Sequence, residues 1–260
     1  MEELLKIAIK ASIKAGDAIL DIYNSGDFSV DMKSDDSPLT KADIASNEVI
    51  MSYLTETGIP MLSEEGRSIP FEERKNWDRL WIVDPLDGTK EFIKRNGEFT
   101  VNIALIERGQ VIQGIVFAPV LKELYFGGIG FGSFKVSNVS QFSEDLHKRG
   151  LKLPISNDRS VFTVVASRSH MSTETEDFIQ ELEFKYGEVN LISKGSSLKL
   201  CMVAEGSADC YPRFAPTMEW DTAAGQGVCL YAGFDVIDWK TQSTMKYNRE
   251  ELLNNWFLVR

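Results

Sequence analysis

The amino-acid sequence predicts a mixed α/β (α+β) fold, and three observations support this prediction. A long helical pattern opens the chain, a meander of strands follows, and strands alternate with helices in the second half. Strand meanders are typical of antiparallel sheets, whereas strand, turn and helix in alternation are typical of α/β units. A polar, poorly patterned stretch at 137–160 separates the two halves. We therefore expect an N-terminal α+β metal-binding domain at 1–150 and a C-terminal α/β substrate-binding domain at 151–260.

The first elements are predicted to be helices. Apolar residues recur at three- and four-residue steps over 2–24, which predicts an amphipathic helix that Asn24-Ser25-Gly26 ends. A short strand is expected at Phe28–Met32. After a polar loop, Thr40 with Asp43 three residues later predicts the capped start of a second helix. Local sequence alone favours this capping role for Asp43.

Two short apolar runs end in acidic residues. Ile59–Ser63 predicts a strand that leads into Glu64-Glu65, and Leu80–Val83 predicts a buried strand that ends at Asp84-Pro85-Leu86-Asp87. Proline and glycine after the second run are expected to turn the chain out of the sheet. Taken singly, the glutamates suit a solvated loop and the aspartates a polar turn. Two neighbouring strands could nevertheless bring both acidic pairs to one end of a sheet.

The remaining elements follow from alternation, apolar runs and turn residues. Strands are predicted at Phe99–Ile106, Val111–Ala118, Leu121–Phe126, Gly127–Phe134, Val161–Ser167, Val189–Ile192, Ala208–Tyr211, Phe234–Trp239 and Trp256–Leu258. Helices are predicted at 173–186 and Leu198–Glu205, and a last one opens around Asp221. Its start and Ser196-Ser197 lie at helix N-termini, which are natural positions for anions or metals. The local alternative for Asp221 is an N-cap.

Composition excludes several classes of protein. The net charge of −11 argues against a nucleic-acid partner and against binding to anionic membranes, since both require a basic face. Three cysteines without C-x-x-C spacing and two histidines argue against a disulfide framework and a zinc site. This cysteine usage indicates a reducing, cytoplasmic compartment. The charged amphipathic N-terminus is not expected to be a signal peptide, and no apolar run is long enough for an integral membrane segment.

The acidic residues, considered together, favour a metal site. Oxygen ligands without histidine or cysteine suit hard cations, which favours two or three Mg²⁺ ions. Multi-ion clusters suit in-line displacement at phosphorus, where one ion activates water and another stabilises the leaving oxygen. A protein this acidic would also need bound cations to accept a polyanionic substrate.

Three motifs resemble the signatures of the inositol monophosphatase superfamily of Mg²⁺-dependent, Li⁺-sensitive phosphatases. They are D-P-L-D-G-T (Asp84–Thr89), S-E-E (Ser63–Glu65) and W-D-T-A-A-G (Trp220–Gly225). The longer strings that surround G-S-S-L-K-L and Y-P-R-F-A-P-T-M-E-W-D resemble its bacterial CysQ branch, the 3'(2'),5'-bisphosphate nucleotidases. The resemblance spans Ser37 to about Gly233. It implies a layered αβαβα sandwich of the inositol monophosphatase and fructose-1,6-bisphosphatase type, and hydrolysis of 3'-phosphoadenosine 5'-phosphate (PAP) to AMP and phosphate by metal-activated water.

The resemblance also implies roles for individual residues. The first Mg²⁺ would be held by Glu64, Asp84 and the backbone carbonyl of Leu86, the second by Asp84, Asp87 and Asp221, and a weaker third by Glu64 with Glu65. Thr89, hydrogen-bonded to Asp43, would orient the attacking water together with Glu64. The phosphate and nucleotide contacts implied are Gly88, Thr89, His170, Ser196, Lys199, Arg213 and Asp221. A solvated helix residue is the alternative for Lys199, and a helix cap for His170.

Other interpretations stay open at this stage. A sibling phosphatase of inositol monophosphate or fructose 1,6-bisphosphate would have the same metal site and differ in the second half. A non-catalytic Mg²⁺-dependent binding protein would lack part of the acidic set, which is complete here. Sequence does not decide between monomer and homodimer, between PAP and its sulfated analogue, or whether a cytoplasmic enzyme also associates peripherally with the inner membrane.

Overall fold

The computed structural model of the chain describes residues 1–26, 31–32, 38–155, 159–166 and 171–260. Within them the helices are α1 (Glu3–Ser25), α2 (Lys41–Leu54), α3 (Phe71–Arg74), α4 (Thr89–Ile93), α5 (Leu146–Arg149), α6 (Thr173–Tyr186), α7 (Leu198–Ala204) and α8 (Glu219–Ala232), with a 3₁₀ turn at Thr55–Thr57. The strands are β1 (Asp31–Met32), β2 (Pro38–Leu39), β3 (Met61–Ser63), β4 (Arg79–Asp87), β5 (Thr100–Glu107), β6 (Gln110–Ala118), β7 (Glu123–Gly128), β8 (Gly132–Val136), β9 (Leu151–Lys152), β10 (Phe162–Ala166), β11 (Val189–Ser193), β12 (Tyr211–Arg213), β13 (Val236–Asp238), β14 (Ser243–Thr244) and β15 (Phe257–Val259). The first three residues predicted for the strand Phe28–Met32 lie outside the described residues.

A large sheet forms the centre of the described structure. Its seven strands follow the order β3-β4-β5-β6-β7-β8-β9. The pair β3 and β4 is parallel, and the other neighbours are antiparallel. The predicted meander is therefore confirmed. The single parallel pair brings the ends of β3 and β4 to the same edge, where the two acidic pairs follow.

Both faces of this sheet are covered, as the apolar run in β4 requires. Trp81 and Val83 pack into a core with α1 and α2, whereas Leu80 and Ile82 pack into a second core with α7 and α8. All four side chains are buried because alternate residues of a strand face opposite sides of a sheet.

A second β layer lies beyond α7 and α8. A four-stranded sheet has the order β12-β15-β13-β14, and β10 pairs in parallel with β11. Helices α7 and α8 contact strands of these sheets, and α6 packs outside them against β11 and β12. The layers therefore run α, β, α, β, α, which confirms the layered sandwich that the resemblance implied.

The chain segment around the expected domain boundary is more structured than its sequence pattern indicates. Residues 137–160 were expected to be patternless, yet they contain α5 and β9. Strand β9 pairs with β8, so the large sheet extends two residues past position 150. The division of the chain into a metal-binding and a substrate-binding domain stays a prediction. None of the described helices combines the length and hydropathy required to cross a bilayer.

Helix α8 approaches the large sheet through glycine. A Cβ added to Gly227 would lie 2.7 Å from the backbone of Gly114 in β6, and one added to Gly114 would lie 2.2 Å from the carbonyl oxygen of Ala224. Real Cβ atoms do not come this close to backbone, so these two positions admit no side chain. The contact fixes the distance of α8 from the sheet and thereby the position of its N-terminus.

Gly227→Ala is expected to destabilise the protein by about 2 kcal/mol, because overpacking against backbone outweighs the gain in helix propensity. Urea unfolding measures the difference. Gly128→Ala in β7 is the matched control, since its Cβ would meet ordinary contacts of 3.6 Å or more. If the Gly227 variant were as stable as this control, close packing would not set the position of α8.

Candidate metal centre

The acidic residues after β3 and β4 lie side by side. Ser63 pairs with Val83 in the parallel register, and the next amide, that of Glu64, donates to the carbonyl oxygen of Val83 at 3.1 Å. Strand β4 does not leave the sheet at Pro85, so the expected exit was wrong. It continues to Asp87 through a register shift that begins after Asp84. A bulge tolerates proline and changes the direction of the side chains that follow it.

Helix α8 supplies a third acid from the far end of the chain. The helix begins at Glu219, so Asp221 is its third residue and not the N-cap that local sequence suggested. Oδ2 of Asp221 accepts a hydrogen bond of 2.8 Å from the amide of Met218, which fixes the side chain against the first turn. One carboxylate oxygen from each of Glu64, Asp84 and Asp221 lies within 4.8 Å of the others.

The pKa values of the two aspartates in this three-acid cluster are raised. Asp84 is only 1% exposed. Burial, followed by the charges of Glu64, Asp87 and Asp221, raises its pKa well above the usual value for aspartate. Burial and the charge of Asp87 raise the pKa of Asp221 to about 8. Like charges are thus held together at a cost that a cation would remove. The donors are all carboxylate oxygens, which suits a hard divalent cation.

Asp87 lies beside this cluster and is tied to helix α7. Its Oδ2 accepts hydrogen bonds from Ser196 Oγ at 2.6 Å, the Ser197 amide at 2.7 Å and Ser197 Oγ at 3.0 Å. The side-chain Nδ2 of Asn102 donates a longer hydrogen bond, of 3.3 Å, to the same oxygen. Within the described part of the chain, no hydrogen bond to its other oxygen is present. Its predicted role as a ligand of a second ion stays a prediction, as does that of the partly buried Glu65.

Asp43 has both of the roles considered for it. Its Oδ2 accepts from the Thr40 amide at 2.8 Å and completes a capping box at the start of α2. Its Oδ1 accepts from Thr89 Oγ1 at 3.3 Å. The cap therefore holds the carboxylate that binds Thr89. Thr89 Oγ1 also approaches the carbonyl oxygen of Leu86. The backbone amide of Leu86 donates to Asp84 Oδ1 at 3.1 Å.

Gly88 makes the turn between the acidic strand and Thr89. Its φ of +96° lies in the left-handed region, which favours glycine. A Cβ there would also lie 3.3 Å from the Cβ of Phe99. The backbone amides of Gly88 and Thr89 therefore follow directly on the acidic strand, as the resemblance requires of a phosphate contact.

Two buried cations come from the second half of the chain. Lys199 is 7% exposed, and its Nζ donates to the carbonyl oxygens of Ser196 at 2.7 Å and Lys194 at 3.2 Å. The solvated-helix interpretation of Lys199 is therefore wrong, and burial lowers its pKa to about 8. Arg213 is 8% exposed and donates to the carbonyl oxygen of Pro216, while its buried Nε has no hydrogen-bond partner within the described residues. His170 lies outside the described residues.

Comparison with known proteins is decisive at the level of the family. The sequence profile described as the inositol monophosphatase family matches residues 1–258. The chain belongs to the inositol monophosphatase family. The layered fold and the acidic motifs agree with this assignment, and the family is metal-dependent.

Three relatives within the inositol monophosphatase family are close to the chain. The 3'(2'),5'-bisphosphate nucleotidase CysQ of Salmonella typhimurium is 44% identical over 259 residues, which cover 98% of this chain and 99% of the relative. The protein of the same name from Escherichia coli K12 is 46% identical over 248 residues, 94% of each chain. The crystal structure of CysQ from Bacteroides thetaiotaomicron superposes with a TM-score of 0.90 at 49% identity, covering 98% of this chain and 95% of that one.

Several residues of the site were not found from the sequence. Ser197 Oγ approaches Asp87 and also the carbonyl oxygen of Asp221 at 2.9 Å, and Asn102 donates to Ser197 Oγ at 2.9 Å. Thr100 forms hydrogen bonds with Asn102 and Ser196. Ser197 was identified from the sequence only as part of a helix N-terminus suited to an anion or a metal, without its contacts to Asp87 and Asp221. Asn102 and Thr100 lie in an alternating strand, and their polarity within a fully buried run was the one available signal.

In the metal-free protein, stability is expected to fall as pH rises from about 5 to 8. The folded state binds more protons than the unfolded state over this range, because the pKa values of Asp84 and Asp221 are raised above the ordinary value of 3.8. For each extra proton that the folded state holds, the free energy of unfolding falls by about 1.4 kcal/mol per pH unit. Urea unfolding in EDTA at pH 5.5, 6.5 and 8 measures the slope.

The comparison for this experiment is Asp221→Asn, which keeps the oxygen that accepts from Met218 but removes the charge. It should flatten the profile, and Asp78→Asn at an exposed ion pair should leave the profile unchanged. Parallel profiles for the parent and Asp221→Asn would contradict the electrostatic account.

Proposed function

We propose that the protein is a Mg²⁺-dependent 3'(2'),5'-bisphosphate nucleotidase that hydrolyses PAP to AMP and phosphate. The observation that carries this proposal is the three-acid cluster of Glu64, Asp84 and Asp221. The charges of two buried cationic side chains act on it, that of Arg213 on Asp221 and that of Lys199 beside Asp87. The acids suit cations that act on a phosphate ester, and Lys199 and Arg213 suit a second phosphate. Relatives named as bisphosphate nucleotidases at 44–46% identity support the same substrate class.

We assign the acidic cluster two or three Mg²⁺ ions. When bound, the ions supply Lewis-acid activation of water and neutralise charge on the leaving 3'-oxygen. Glu64, Asp84, Asp87 and Asp221 offer oxygens to them, together with the carbonyl of Leu86 and, more weakly, Glu65. Because Asp87 Oδ2 is occupied by bonds from α7, we expect Oδ1 to be the atom that Asp87 contributes.

The chain orients the attacking water through Thr89. Its hydroxyl hydrogen is directed to Asp43 Oδ1, so its lone pairs are available to accept a hydrogen from the water. Asp43 cannot turn away without losing the capping box at Thr40. We assign Glu64 as the second acceptor for the water, so that two hydrogen bonds direct the water oxygen toward phosphorus.

We assign the amides of Gly88 and Thr89 to the 3'-phosphate, since both lie at the turn that follows Asp87. Backbone donors placed where charge develops require no reorganisation during the reaction. The left-handed conformation of Gly88 is what allows the chain to turn there.

The second half would select the nucleotide. A protein with a net charge of −11 repels a bisphosphate unless local cations offset the repulsion. Lys199 has a pKa of about 8, and a phosphate beside it would favour its charged form. The buried Nε of Arg213 is a donor ready for the same group. Ser196, together with His170 outside the described residues, completes the contacts we assign to base and ribose.

We place this enzyme in the cytoplasm. All three cysteines are unpaired and buried, which agrees with a reducing compartment.

Phosphate release from PAP, from inositol 1-phosphate and from 3'-AMP, each with Mg²⁺, tests the proposal. PAP should be the fastest substrate, and 3'-AMP should be slower because it lacks the 5'-phosphate. Asp84→Asn should lower the rate on the order of 10³-fold. The variant lacks a carboxylate ligand of the ions, and the ions stabilise the charge of the transition state by several kcal/mol. Asp78→Asn is the matched control and should retain the parent rate.

Faster turnover of inositol 1-phosphate than of PAP would make the protein a sibling phosphatase and overturn the nucleotidase assignment. Retained hydrolysis in Asp84→Asn would instead contradict the metal-based mechanism. The two results can be told apart, because the first compares substrates of the parent protein and the second compares a variant with the parent.

A further inference from the structure

Glu219 is a fully buried acid that the acidic cluster does not include. It has no exposed surface and opens α8, the helix that carries Asp221. Both of its oxygens are occupied by hydrogen bonds. Oε2 accepts from the Asn248 amide at 2.7 Å, and Oε1 accepts from the Arg249 amide at 3.0 Å and Arg249 Nε at 3.1 Å. Glu219 therefore joins the first turn of α8 to the 248–249 segment.

Arg249 continues this connection to the other side of the same turn. Its Nη2 donates to Asn254 Oδ1 at 2.7 Å. The side-chain nitrogen Nδ2 of Asn254 donates to the carbonyl oxygen of Met218 at 2.7 Å and to Thr222 Oγ1 at 3.0 Å. The Met218 amide in turn donates to Asp221 Oδ2. The turn that presents Asp221 is thus held from both sides by one guanidinium.

Arg74 connects this network to the segment that follows Glu64. It is 2% exposed and ends α3. Its Nη1 donates to the carbonyl oxygen of Arg249 at 2.5 Å and its Nη2 to that of Glu250 at 2.8 Å. Asn248 and Arg74 also exchange hydrogen bonds, from Arg74 Nη1 to Asn248 Oδ1 and from Asn248 Nδ2 to the Arg74 carbonyl, each at 2.9 Å.

We propose that Glu219, Arg249 and Arg74 are positioning residues that hold Asp221 close to Glu64 and Asp84 before a cation binds. Mutual repulsion pushes these carboxylates apart, so some structure must keep them together in the metal-free protein. A buried ionic network can add little net stability and still specify one geometry, and that is the role we assign to this one. The side-chain hydrogen bonds of the three within the described residues go to the 248–254 segment, to one another and to the carbonyl oxygen of Ile69. We therefore expect them to act on cation affinity and not on the chemical step. This inference rests on the proposed metal-dependent function.

The test uses Arg249→Met and Arg249→Lys, with Lys135→Met as the matched control. Lys135 forms a similarly buried ion pair with Glu205 at 2.8 Å and Glu123 at 3.0 Å, neither of which belongs to the three-acid cluster. Isothermal titration with Mn²⁺ measures cation affinity, and urea unfolding in EDTA measures stability. Both methionine variants should lose stability, but only Arg249→Met should bind Mn²⁺ about tenfold more weakly. Its kcat at saturating Mg²⁺ should return to within about twofold of the parent, because every ligand is intact.

Arg249→Lys should recover part of the affinity, since lysine can reach one of the two acceptors but not both. Equal Mn²⁺ affinity in Arg249→Met and Lys135→Met would overturn the positioning role. Absence of Mn²⁺ binding in the parent would instead refute the proposed metal-dependent function. If Arg249→Met does not fold, Glu219→Gln is read in the same titration, because it keeps the size of the side chain and places a donor where an acceptor is required.

Discussion

The structure depends on one electrostatic constraint, the convergence of acidic side chains in a buried place. Carboxylates of Glu64, Asp84 and Asp221 lie within 4.8 Å of one another, and burial together with the neighbouring charges raises the pKa values of the two aspartates. Repulsion of this kind would open a loosely built site. Three features resist it, namely the parallel pairing of β3 with β4, the glycine contact of α8 with β6, and the network around Glu219. These three features thus hold together carboxylates whose charge is neutralised either by protons or by a bound cation.

A second group of contacts connects the acidic centre to the part of the chain that would recognise the nucleotide. Asp87 accepts from the side chains of Ser196 and Ser197, and the latter also reaches the carbonyl of Asp221. Lys199 lies one turn further along and is held by the carbonyl of Ser196. A shift of α7 would therefore also move the contacts of Asp87. Under the proposed function, substrate selection and cation binding would share this polar network.

Sequence reasoning was most successful where the determinants are local. The Thr40 capping box, the strand pair that delivers two acidic motifs, and the acidic motifs themselves were all evident from residue type and spacing. It was wrong at Pro85, because a bulge depends on the partner strand. For Asp221 only the local N-cap alternative was wrong, since α8 begins at Glu219, which the 248–249 segment holds by hydrogen bonds. The contacts of Ser197 and Asn102 were inaccessible for the same reason, because their partners lie far away in the chain and no local pattern specifies such a pair. The burial of Lys199 was missed because it depends on how α7 packs, although the carbonyl groups that Lys199 binds are local.

Crystals grown with Mn²⁺ and measured at the manganese absorption edge would test the central claim most directly. The account predicts anomalous peaks at coordinating distance from the carboxylate oxygens of Glu64, Asp84 and Asp221, with little movement of α8 relative to β4. Ions at other positions, or an acidic cluster that stays empty at millimolar Mn²⁺, would contradict it.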